Sequence, residues 1–185
     1  MPIRLGHFEK PSKLKKSDDS TDTFARYEAE PFETGYGHTI GNCLRRVLLS
    51  SLEGAAITSV KIEGADHEFT TVPGIIEDVT DIVLNLKKIK FRHTGREPQE
   101  VRLSVTAEGA VTAGDLELPP GLKIVNKKQI ICTTDKKKKV DMVMEIQVGR
   151  GFLPGDANKK PDQVIGVIPI DSIFSPVTRV RYGVE

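Results

Sequence analysis

The chain has 185 residues and carries 27 Lys+Arg against 26 Asp+Glu, a net charge of +1. So even a balance excludes a strong one-signed field and gives no support to general nucleic-acid binding. The absence of Trp and the 5% aromatic content argue against a stacking platform for single strands.

Pro11 to Thr23 is polar and charged and reads as a loop or arm. Phe24 to Phe32 follows as a short strand ending at Glu30-Pro31, and Gly35-Tyr36-Gly37-His38-Thr39 is a turn into a helix. From Ile40 the apolar residues fall at Ile40, Cys43, Leu44, Val47, Leu48 and Leu52, an amphipathic stripe at helical spacing. Thr39 is its expected N-cap and Gly54 its stop. The period then changes to two through Ile57, Val60 and Ile62, which predicts a strand ending at Gly64. A second helix is expected after Pro73-Gly74, on the stripe Ile75, Val79, Ile82, Val83 and Leu86. Glu77-Asp78 stand near its start and Lys87-Lys88 at its end, as a helix dipole favours.

The remainder reads as strands. Val101, Leu103 and Val105 alternate, as do Val140, Met142, Met144, Ile146 and Val148, and finally Val180, Tyr182 and Val184. Gly149 to Pro161 reads as a long surface loop. The apolar run Val164 to Ile170 contains Pro169, which confines it to an edge or irregular strand. The pattern is α+β: two helices early, then many strands.

Most chemistry fails on spacing. Gly35-Tyr36-Gly37 is followed by Gly41, which is neither a dinucleotide fingerprint nor a P-loop. His67-Glu68 would open a zinc-protease motif only with a histidine at position 71, where Thr71 stands. His7, His38, His67 and His93 show no ligand spacing, so no metal or cofactor is expected. Glu77-Asp78 are adjacent and diverge on a helix. Lys136 to Lys139 reads as a solvated turn. Cys43 and Cys132 stand far apart in no paired motif, which fits a reducing, cytoplasmic setting. No apolar run approaches ~20 residues, so no membrane span is expected. Met1 to Lys16 lacks the apolar region of a secretory signal. One feature asks for a partner: opposite the apolar stripe of the first helix, Leu49 stands beside Arg45 and Arg46, and arginine with an apolar anchor is typical of binding hot spots.

The same residues carry a family resemblance. Gly35-Tyr36-Gly37-His38-Thr39-Ile40-Gly41-Asn42-Cys43-Leu44-Arg45-Arg46-Val47-Leu48-Leu49-Ser50-Ser51 resembles the signature helix of bacterial RNA polymerase alpha subunits. The likeness continues in Gly54-Ala55-Ala56-Ile57-Thr58, Ile62-Glu63-Gly64, His67-Glu68-Phe69, Gly74-Ile75-Ile76-Glu77-Asp78 and Ile82-Val83-Leu84-Asn85-Leu86-Lys87. It returns in Gly149-Arg150-Gly151-Phe152-Leu153-Pro154 and Phe174-Ser175-Pro176-Val177.

This resemblance implies an assembly scaffold with no active site of its own. It implies a dimerisation subdomain (residues 1–53 with 175–185) that carries a long helix, and an inserted β-rich subdomain (54–174). Arg45, Arg46, Leu49, His67, Glu68 and Phe69 would face the beta subunit. Lys87, Ser175, Pro176 and Val177 would face beta-prime. Ile40, Cys43, Leu44, Val47 and Leu48 would serve the subdomain core and an alpha homodimer. In the family a further strand, a long dimer-interface helix and a DNA-binding domain follow Tyr182. The sequence stops at Glu185, so incomplete dimerisation, exposed Leu44 and Val47 and no direct DNA contact are expected. The alternative is an alpha-like binding module that occupies beta and regulates assembly.

Overall fold

The structure is a computed structural model that describes residues 9–185, the side chain of Ala107 excepted. His7 and the first residues of the basic Met1–Lys16 stretch lie outside the described residues. The chain divides into two compact units, one running to Leu48 and including Arg179–Glu185, the other Leu49–Thr178.

In the first unit β1 (Leu14–Lys16) and β2 (Tyr27–Ala29) form an antiparallel pair. The stretch read as a loop thus contains a strand. Its connection is closed by backbone bonds from Ser17 N–H to Arg26 (2.9 Å) and from Thr21 N–H to Phe24 (2.7 Å). Helix α1 spans Tyr36–Ser50. It starts a turn earlier than expected, so Thr39 lies inside it rather than at its N-cap. Gly35, at φ +85°, supplies the entry turn.

Gly37 and Gly41, one turn apart on α1, have a different use. A Cβ on Gly41 would stand 2.5 Å from the Tyr182 ring, and one on Gly37 would stand 3.0 Å from Val184. The His38 ring meets Tyr182 edge-on at 6.4 Å. The helix therefore offers a bare backbone strip on which the last residues of the chain lie. That segment forms no strand, although Val180, Tyr182 and Val184 alternate. Alternation encodes two faces, but a strand also needs a ladder partner.

The second unit is built on a six-stranded sheet. The path runs β5 (Gln99–Thr112), β7 (Ile130–Arg150), β3 (Glu53–Ile62), β4 (Phe91–His93), β6 (Leu122–Ile124), and β9 (Val167–Pro169) also pairs with β3. Every pairing is antiparallel. β7 is the spine: it pairs with β3 along one half and with β5 along nearly all of its length. Register shifts between Ile57 and Ser59, and between Ala107 and Gly109, mark bulges. Lys136 to Lys139 lie within β7 and not in a turn, and all four are exposed or half-exposed. Pro169 sits in the edge strand β9, where its missing N–H is harmless.

Helix α2 spans Val79–Leu86 and packs Val79, Ile82 and Leu86 fully into the core with Met142, Met144, Ile146, Val101 and Leu103. It is shorter than its sequence stripe. Ile75 forms a bridge with Thr134, and Ile76 N–H bonds the Thr133 carbonyl at 2.9 Å, so tertiary pairing takes the first turn of the pattern. Asp78 then caps the helix by accepting Asp81 N–H at 2.7 Å. Burying each leucine-sized side chain here contributes ~1.5–3 kcal/mol. The segment read as a long loop holds β8 (Phe152–Leu153), paired with β10 (Ser172–Ile173), and the one-turn helix α3 (Gly155–Asn158). The whole is α+β and mostly sheet.

Candidate protein-docking surfaces

Helix α1 is amphipathic by sequence, yet none of its residues is buried. Leu44 and Val47 are each 50% exposed, Leu48 and Cys43 are exposed, and Ile40 is half-buried. A helix normally gains its stability by burying such a stripe. Leu44, Val47 and Leu48 thus present an apolar surface of the kind that marks an interaction site. Arg45 and Arg46 are exposed, and Leu49 is half-buried.

His67, Glu68 and Phe69 are all exposed, Phe69 at 79%. Their backbone is fixed from below by the start of α2. Thr80 Oγ1 donates to the Glu68 carbonyl at 2.9 Å, Val79 N–H to the Thr70 carbonyl at 3.1 Å, and Thr71 bridges Asp78. A large apolar ring on a backbone this well tied is held out toward solvent, not collapsed onto the core.

Lys87 is half-buried and directed into the protein. Its Nζ donates to Asp171 Oδ2 at 2.9 Å, while Asp171 Oδ1 accepts Gly155 N–H at 2.7 Å. The Lys87 hydrogen bond, then the Gly155 N–H, hold the Asp171 carboxyl below the usual carboxylate range. Next to it Asn158 Nδ2 donates to the Ile170 carbonyl (2.7 Å) and to Ser172 Oγ (3.0 Å), and Ser172 Oγ donates to the Ile57 carbonyl (2.8 Å). Asp171, absent from the sequence reading, is therefore the residue that ties α2 to α3.

The Ser175-Pro176-Val177 segment is positioned by glycines. A Cβ on Gly54 would stand 1.9 Å from the Phe174 carbonyl oxygen, and one on Gly149 would stand 2.7 Å from the Phe174 ring. Gly54 is thus a β3 residue that lets a strap cross the sheet, rather than a helix stop; α1 already ends at Ser50. Phe174 and Ser175 N–H both point to the Gly151 carbonyl, at 2.9 and 3.4 Å. Ser175 is buried and donates its hydroxyl to Val177 at 3.0 Å, Val177 is half-buried, and Pro176 is exposed.

A concave site of about 360 Å³ adjoins that strap, lined by Ala55, Phe91, Val148 and Pro176 and by Arg92, His93 and Thr94. On its rim Glu53 accepts Arg96 Nη2 at 3.1 and 3.2 Å and Arg150 Nη2 at 2.7 Å. Arg150's hydrogen bond, then Arg96's charge, hold the Glu53 carboxyl below its usual range. Only topology brings these residues together; the Gly-Arg-Gly motif was the one signal in the sequence, and it named Arg150 without its partners. Among the described residues no group of three or more His, Cys, Asp or Glu could hold a metal ion. No helix of the described residues is long and apolar enough to cross a membrane.

A family model for the RNA polymerase Rpb3/RpoA insert domain matches residues 60–175. The DNA-directed RNA polymerase subunit alpha of Moorella thermoacetica is 51% identical over 164 residues, covering 89% of this chain and 52% of its own. That of Desulfitobacterium hafniense is 51% identical over 172 residues (93% and 54%), and that of Rhodopirellula baltica 46% over 186 residues (100% and 56%). The chain spans about half the length of the curated relatives it matches.

Proposed function

The chain belongs to the RNA polymerase Rpb3/RpoA insert-domain family, and on that premise we propose that it is the scaffold part of an alpha subunit. In this role it holds the large subunits of a DNA-directed RNA polymerase together without performing the chemistry. The unit with α1 acts in dimerisation, through Ile40, Cys43, Leu44, Val47 and Leu48. The beta subunit docks on Arg45, Arg46 and Leu49 and on the His67-Glu68-Phe69 segment. The beta-prime subunit docks on the strap at Ser175-Pro176-Val177. Lys87 supports that surface from inside through Asp171.

The observation that carries this reading is α1, a 15-residue amphipathic helix with no buried residue. A scaffold has to carry such faces before its partners arrive. Charge and apolar anchor share one helix, and loss of a buried interface arginine costs ~2 kcal/mol or more of binding. The test is affinity capture from a bacterial lysate with tagged chain, reading the beta band beside Arg46→Ala. Wild type retains beta and the variant retains at least ~10-fold less. Equal retention by both sinks the assignment of the beta site to α1.

A further inference from the structure

The geometry points to a receptor for one acidic side chain, presented on a peptide segment of the large subunit that meets Pro176, in the concave site beside Glu53, Arg96 and Arg150. This rests on the scaffold reading above, because the partner is the one proposed for the strap that walls the site.

Two guanidinium groups converge on a single carboxylate here and Arg92 also lines the site, so positive charge is in excess. Arg96 and Arg150 each reach Glu53 through Nη2 alone. A guanidinium has five N–H donors in a fixed fork suited to carboxylates, so most of the donors at this rim remain uncommitted to Glu53. Both arginines are exposed, at 78% and 63% of their side chains, so they can close on an incoming group. Ala55, Phe91, Val148 and Pro176 contribute apolar surface to a lining that is otherwise polar. Apolar patches beside clustered guanidinium groups match a side chain with methylene groups and a terminal carboxylate.

A nucleic-acid backbone is the lesser fit, since it calls for cations spaced along a track and these arginines gather at one hollow.

The test uses the full chain, isotope-labelled, and follows the amide signals of Gly54, Gly95 and Arg96. The probe is N-acetyl-glutamate N-methylamide, compared with its neutral glutamine counterpart and with inorganic phosphate. The glutamate probe saturates these signals, the glutamine probe binds about fivefold more weakly, and Arg96→Gln removes that preference. Arg96→Lys, which keeps the charge and loses the fork, falls between. Equal binding of glutamine and glutamate overturns the site, as does phosphate binding as tightly as glutamate. In lysate capture, Arg96→Gln lowers recovery of beta-prime about fivefold; unchanged recovery overturns the choice of partner. If wild type captures no large subunit while glutamate still binds, the scaffold reading falls and the pocket does not.

Discussion

The two units of this chain use apolar residues in opposite ways. In the second, helix α2 buries Val79, Ile82 and Leu86 completely, with a core drawn from β3, β5 and β7. In the first, no residue of the longer helix α1 is fully buried, and Leu44 and Val47 stand half in solvent. Two stripes of similar periodicity therefore end differently: one is covered by the chain itself, the other is left open to solvent. Hydrophobic pattern alone signals a face to be covered and is silent about what covers it.

The largest contrast should be in thiol chemistry. Cys132 is fully buried in the second unit, where burial and then the charge of Glu77 push its thiol up to about 12; Cys43 on α1 is exposed. Only the thiolate reacts. At a dilution where the native chain is monomeric, a maleimide should label Cys43, and Cys132 only after denaturation, as read by intact mass. Native labelling of both would erase the distinction between a closed and an open unit.

Leu86→Ala comes next. It empties a fully buried site and should cost about 2–5 kcal/mol in a denaturant melt. Gly54→Ala should cost about 1–3 kcal/mol, because its Cβ meets the Phe174 carbonyl and the strap must move. Ser175-Pro176-Val177 would then be misplaced, and capture of beta-prime should fall with it.

A pH series sharpens the comparison within the second unit. The Asp171 carboxyl is held below its ordinary range, so its contribution is present above the unfolded pKa and is lost as pH falls through the folded one. The pair is part-exposed, and a value of about 0.5–1 kcal/mol is appropriate. Asp171→Asn should therefore be less stable than wild type at neutral pH, with the gap closing below about pH 4. The smallest effect belongs to α1. Leu44→Ser should change the stability of the isolated chain by no more than ~0.5 kcal/mol, while self-association measured by sedimentation decreases. A loss of several kcal/mol would mean that α1 is core after all.

How far the sequence could be read follows the same division. The periodic elements were legible: the stripe of α1, the alternation in β3 and β7, and Pro169 on an edge. What was misread depended on distant residues. Ile75 belongs to the expected α2 stripe, but Thr134 draws it into a bridge and Ile76 bonds Thr133 beside it. Lys136 to Lys139 resemble a turn until β5 is laid beside them. Gly37 and Gly54 looked like punctuation; they are places where Val184 and Phe174 pass too close for a side chain. The arginines and Leu49 of α1 were visible because one helix carries them. The cluster of Glu53, Arg96 and Arg150 was not, since its members come from three separate stretches of chain.

That separation has a consequence for biosynthesis. Glu53 and Arg150, the first matched pair of β3 and β7, are 97 positions apart. At a ribosomal pace of ~5–20 residues per second, β3 emerges roughly 5–20 seconds before the strand that covers it. During that interval a long strand edge and half a core are on offer to any neighbour on the polysome. The nascent chain is at its most adhesive while it waits for its own spine.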